Sequence, residues 1–182
     1  MKRDLYDITS YGQGEPTAII LQPFAPDSKD TMASLPVELQ QATGATFLFC
    51  QFEVQDPGDN LTPWPAPPMF GKRPFGSMAT DTLEYITSEL LPEIKGEADL
   101  PLILGGYSLG ALFALWCAYQ TDAFDGVVAV SPSLWYEGWI EYASQRTPMA
   151  RHIYLSLGVT ESNGTNPRIT ARGDNIRRHA DL

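Results

Sequence analysis

Gly106-Tyr107-Ser108-Leu109-Gly110 lies between an apolar run, PLILGGY, and a segment of helical pattern, and no other stretch constrains the fold as strongly. A serine with glycine two residues before and two after it suits a turn so tight that side chains at the flanks would collide. A strand has to enter such a turn and a helix has to leave it. The expected helix, Ser108 to about Thr121, aligns Ala111, Ala114 and Ala118 in a stripe of small residues that can lie close against a sheet. The turn also lifts the Ser108 hydroxyl above the sheet at a helix N-terminus. Backbone N–H groups and the helix dipole there favour a developing oxyanion, with Leu109 N–H as one donor.

Around this turn, apolar runs alternate with helical patterns, which predicts an α/β fold: a mostly parallel sheet with helices on both faces. TAIILQPF (Thr17 to Phe24) and TFLFCQF (Thr46 to Phe52) read as buried strands, with a short helix around Leu35 to Ala42 between them. Ala79, Leu83, Ile86 and Leu90 share one helical face, and Pro92 is expected to help end that helix. PLILGGY is the third strand, GVVAVS (Gly126 to Ser131) the fourth and HIYLSL (His152 to Leu157) the fifth. The fifth alternates polar with apolar residues, as expected nearer a sheet edge. Asn166-Pro167 opens an expected tail helix on which Ile169, Ile176 and Ala180 share a face. The 182 residues read as one domain without internal repeats.

With 22 acidic against 12 basic residues and a formal net charge of -10, the surface should repel phosphate backbones and anionic lipid heads. Nucleic acid and membrane are therefore not expected as partners. No apolar segment follows the basic pair near the N-terminus, and no run is long enough to span a bilayer, so a cytoplasmic location is expected. Cys50 and Cys117 both stand in apolar settings that suit buried, reduced thiols rather than a disulfide or a metal site.

Three motifs, GGYSLGA, SPSLWY (Ser131 to Tyr136) and LGVTE (Leu157 to Glu161), follow consecutive strands. On these the chain, from about Thr17 to Glu161, resembles the α/β-hydrolase superfamily, and more narrowly the small enterochelin-esterase and esterase-D-like serine hydrolases. The resemblance implies a carboxylic-ester hydrolase working through an acyl-enzyme on Ser108, with no metal or organic cofactor. By the same resemblance Glu161, three residues after Gly158, takes the place of the triad acid that orients a histidine; read from the residues alone it is equally a solvated loop carboxylate. The resemblance also implies a second oxyanion donor from the loop after TAIILQ. Where the family often has His-Gly, this chain has Gln22-Pro23-Phe24, and because Pro23 lacks an N–H, Phe24 is the expected donor.

The segment from Asp56 to Gly76 is rich in proline and aromatics and is expected to form a lid or pocket wall. In one arrangement Trp64, Met69 and Phe70 gather with Trp135 and Tyr136 above Ser108 and bind an apolar part of the ester; in another they close a small core under the loop. Lys72 and Arg73 are either solvated or paired with a substrate carboxylate.

The base is the weak point. The resemblance implies a histidine after one further strand, and the sequence holds only His152 and His179. His152 opens the fifth strand at the end of the sheet away from Ser108. A continuous tail helix would carry His179 about 18 Å from the Glu161 loop, and only a break at Gly173-Asp174-Asn175 would bring it back. The expectation is a chain that lacks its C-terminal strand and catalytic histidine, leaving a folded core with weak or no esterase activity and an exposed sheet edge open to self-association. The alternative is a non-catalytic binding or scaffold protein that keeps the elbow. Acyl transfer to an alcohol other than water is a third possibility.

Overall fold

Strand order β1-β3-β2-β4-β5-β6 defines a single six-stranded sheet in the computed structural model, which describes residues 6–28, 32–69, 71–95, 99–161 and 170–182. The strands are β1 (Tyr6–Tyr11), β2 (Ile19–Phe24), β3 (Phe47–Glu53), β4 (Leu102–Tyr107), β5 (Gly126–Val130) and β6 (His152–Ser156). Every pairing is parallel except β1 with β3. The α/β architecture read from the sequence is therefore the observed one.

Among the strands, β1 alone has no counterpart in those expected from the sequence. Its sequence, YDITSY, has no apolar run to announce it. It forms because it lies antiparallel along the free edge of β3, where Tyr11 stacks on Phe47 with ring centroids 5.9 Å apart. At the other edge of the sheet lies β6.

Helix α1 (Leu35–Thr43) lies over one face of the sheet, where Leu35 and Leu39 share a groove of about 560 Å³ with Ile20, Ile103 and Val128. On the opposite face, Ile19, Leu21, Leu102, Leu104, Val127 and Ala129 are buried in the main core. That core is closed by α2 (79–95) and by α3 (Leu109–Ala118), and nearly all residues of α3 are buried. The stripe Ala111, Ala114 and Ala118 has no exposed surface at all.

Helix α2 begins at Ala79–Tyr85, widens into a π-helical segment at Ile86–Leu90 and resumes as α-helix over Leu91–Lys95. It runs past Pro92 instead of ending there. Proline in a regular α-helix loses one hydrogen bond and drives its ring into the carbonyl four residues back. The wider turn just before Pro92 shifts that carbonyl, so the helix continues and buries Ile86, Leu90, Leu91 and Ile94.

Helix α4 (Trp139–Ser144) follows the SPSLWY segment, and α5 (Arg172–Ala180) packs against it. The expected cap Asn166-Pro167 and Ile169 lie outside the described residues. Ile176 packs against the core and Ala180 is exposed.

Candidate active site

β4 delivers Ser108 into α3 through the tight turn that its glycines predict. Ser108 has φ 55° and ψ −113°, a conformation costly for a residue with a side chain. Neighbouring strands hold it there: Ser108 N–H donates to Val130 C=O (3.2 Å), and Ser133 N–H donates to Ser108 C=O (3.1 Å). The two flanking glycines are not equivalent. A β-carbon on Gly106 would overlap the Gly110 carbonyl and come within 2.6 Å of Ala111 N, whereas one on Gly110 would meet only Pro23 Cγ at an ordinary 3.5 Å.

A cleft of about 400 Å³ opens at Ser108, bounded by Pro23, Phe24, Ala25, Met32, Leu61 and Leu109 among others. Leu109 is the first residue of α3, so its N–H has no partner within the helix. The register alters the second donor. Phe24 pairs with Glu53, and its C=O accepts from Val54 N–H at 2.8 Å. In a parallel ladder a residue that accepts from one neighbouring strand also donates to it. Phe24 N–H is thus directed at β3, which removes it from the expected role. Ala25 is next in the alternation. It lines the cleft, and its N–H donates to no backbone carbonyl among the described residues.

Among the described residues Glu161 receives three hydrogen bonds: from Ser131 Oγ (2.5 Å) and Gly158 N–H (3.1 Å) on Oε1, and from Arg172 Nη1 (2.9 Å) on Oε2. The Ser131 hydroxyl, the Gly158 amide and the Arg172 charge hold its carboxyl below the usual range, against the opposing effect of partial burial. Gly158 makes this possible, since a β-carbon there would lie 2.7 Å from Glu161 Oε1. Ser131 itself has a positive φ of 48°.

One three-residue strap, Ser131-Pro132-Ser133, therefore touches both ends of the expected constellation. Ser131 Oγ holds Glu161, and Ser133 Oγ lies 3.2 Å from Ser108 Oγ. The sequence flagged SPSLWY only by resemblance, and nothing in a pair of serines announces this division. Arg172 gave no signal either, because it is 11 residues from Glu161 and meets it only in the fold.

Neither histidine reaches Ser108. His152 is exposed and pairs with Gly126 at the far end of the sheet. Helix α5 passes unbroken through Gly173-Asp174-Asn175, so the turn back that His179 needs is not made. His179 is buried, its ring centroid 5.6 Å from that of Trp139 and 6.2 Å from that of Tyr119. Burial pushes its pKa down to about 4.

The aromatics expected to line a substrate pocket pack elsewhere. Trp64 donates to Glu137 C=O (2.8 Å), and Tyr136 OH donates to Trp64 C=O (2.5 Å). Trp64, Trp135 and Tyr136 join Phe75, Trp139 and Tyr142 in a packed cluster, and none of the three borders the Ser108 cleft. Of the two arrangements open to the sequence, the structure has the core under the loop. Hydrogen bonding explains the choice, because both polar tips find backbone carbonyls inside it. Met69 is buried, Arg73 pairs with Asp56 at the surface, and Lys72 is exposed. Phe70 lies outside the described residues. Cys50 and Cys117 are free and buried. No group of three or more potential metal ligands occurs among the described residues.

A mostly parallel sheet whose central strand turns through a strained serine into a buried helix is the α/β-hydrolase fold. Solved structures share it. The siderophore hydrolase EstB from Aspergillus nidulans superposes with a TM-score of 0.64 at 15% identity, over 96% of this chain and 73% of its own. An IroE-like serine hydrolase from Shewanella oneidensis superposes at 0.59 with 18% identity, over 96% and 74%. The enterobactin hydrolase IroE, in complex with DFP, gives 0.59 at 13%, over 96% and 94%. Compared by sequence, the chain matches no protein-family model and no curated protein.

Proposed function

We propose that the chain is a serine hydrolase acting on a carboxylic ester, with Ser108 as nucleophile and weak turnover because neither of its histidines serves as base. The observation that carries this reading is the strained Ser108 with two backbone N–H groups at one cleft, those of Leu109 and Ala25, that have no backbone acceptor among the described residues. Ser108 Oγ would bond to the acyl carbon, its proton passing to solvent, while the two N–H groups hold the oxyanion; the acyl carbon–alkoxy oxygen bond then breaks and the alcohol leaves with a proton from solvent. Water would then release the acid. Names such as siderophore hydrolase and enterobactin hydrolase among the structural neighbours agree with ester chemistry. Two buried thiols left unpaired suit a reducing compartment, in keeping with a cytoplasmic site. Among the described residues, no helix is long and apolar enough to cross a membrane.

A serine-directed fluorophosphonate tests the reading. Labelling at Ser108, abolished in Ser108→Ala and slowed about 100-fold in Ala25→Pro, is expected, since proline removes the second donor and Phe24 before it is already extended. A specific observation favours the second reading, a non-catalytic binding protein: the Glu161 carboxylate is taken by Arg172 rather than by a histidine. Absence of labelling would support that reading and overturn the first.

A further inference from the structure

Ser133 is fully buried, and its hydroxyl has one hydrogen-bond partner among the described residues, Ser108 Oγ at 3.2 Å. Either oxygen could donate on distance alone, but their surroundings differ. A buried hydroxyl that donates to nothing forfeits about 1–3 kcal/mol, so the Ser133 proton has to go to the acceptor within reach. Ser108 is half-buried at an open cleft and can send its own proton outward.

We infer that Ser133 donates its hydroxyl hydrogen bond to Ser108 Oγ, leaving the Ser108 proton directed into the cleft and stabilising negative charge on that oxygen. The donor would act twice in ester cleavage. It supports Ser108 Oγ as the oxygen loses its proton and attacks, and again when the acyl carbon–oxygen bond breaks and the same oxygen leaves. Its backbone fixes the geometry: Ser133 N–H donates to Ser108 C=O, and Ser133 C=O accepts from Tyr136 N–H at 3.0 Å. Ser133 touches the reacting atom and is a catalytic residue in that sense. The inference rests on the hydrolase reading for its purpose, but the hydrogen bond can be tested without turnover.

Replacing the nucleophile by a thiol makes the contact titratable. In Ser108→Cys, the rate of alkylation by iodoacetamide, followed by peptide mapping at position 108, rises with the thiolate fraction; sulfur displaces iodide and the thiol proton goes to solvent. Cys50 and Cys117 stay silent, because burial pushes the Cys50 thiol up to about 12 and Cys117 well above its ordinary value. Adding Ser133→Ala should move the midpoint up by about one pH unit, since a hydrogen bond to the charged form is lost. Ser133→Thr, which keeps the hydroxyl, should restore it. If the alanine double variant does not fold, Ser133→Cys supplies a weak donor of nearly the same shape. Equal midpoints with and without the hydroxyl overturn the inference whatever the fluorophosphonate does. A hydroxyl-dependent midpoint without fluorophosphonate labelling of the unaltered protein overturns the hydrolase reading alone.

Discussion

Gly106 and Gly110 look identical in the sequence and differ in the fold. Gly106→Ala places a methyl group against the Gly110 backbone, with no flexible side chain to yield. It should destabilise the protein by about 1–3 kcal/mol and disturb the elbow. Gly110→Ala has ordinary room beside Pro23 and lies within α3, where alanine is the better helix former, so stability should hold or rise slightly. Urea midpoints of the two variants decide the matter, and equal losses would refute the asymmetry. The motif was legible because its glycine spacing is a steric requirement written into the chain. Which glycine carries the requirement was not legible, because that depends on where the returning backbone passes. Phe24 and Ala25 show the same limit: the missing N–H of Pro23 could be read, but the direction in which the next N–H points is set by pairing with β3.

Among the elements, α5 is held by contacts from three positions along one face. Arg172 reaches Glu161, Asn175 Nδ2 donates to Leu134 C=O at 2.8 Å, and His179 enters the aromatic cluster. The Arg172–Glu161 pair is largely shielded, with side chains 14% and 27% exposed, so it should contribute more than a surface ion pair. Arg172→Ala should raise hydrogen exchange in the α5 amides about tenfold while leaving α3 protected. Unchanged exchange would show that the aromatic contacts suffice. A tail helix is legible in the sequence from Asn166-Pro167 and the spacing of Ile169, Ile176 and Ala180, but its anchors are not, because each pairs with a residue distant in sequence. β1 was hidden for a related reason: YDITSY becomes a strand only when β3 offers an edge. Conversely, Pro92 suggested a stop that the π-helical turn before it avoids.

Over the whole molecule, pH should act first through His179. Its folded pKa, about 4, lies below the ordinary 6.5, so the fold favours the neutral ring and the unfolded chain takes up a proton first as pH falls. Stability is then fullest above 6.5 and declines as pH drops from there toward 4. Between pH 7 and pH 5 the loss should be about 2 kcal/mol, and His179→Phe should flatten that segment of the curve. Glu161 acts in the same direction but lower, because its depressed pKa keeps it ionised until more acidic conditions. Urea titrations at the two pH values give the answer, and a slope that persists in His179→Phe would assign it to another group.

The aromatic cluster also gives the molecule an optical property. Three of its four tryptophans, Trp64, Trp135 and Trp139, belong to it, and the Trp64 and Trp139 rings stack 6.5 Å apart at 19°. Indoles so close share their excitation, so the near-ultraviolet circular dichroism should carry a coupled signal absent from any single-tryptophan variant of the pair. Because His179 lies against Trp139, departure of the tail helix would admit water to that indole and move its emission to longer wavelength. The protein thus carries its own chromophore for the docking of α5, readable in dilute solution without a label.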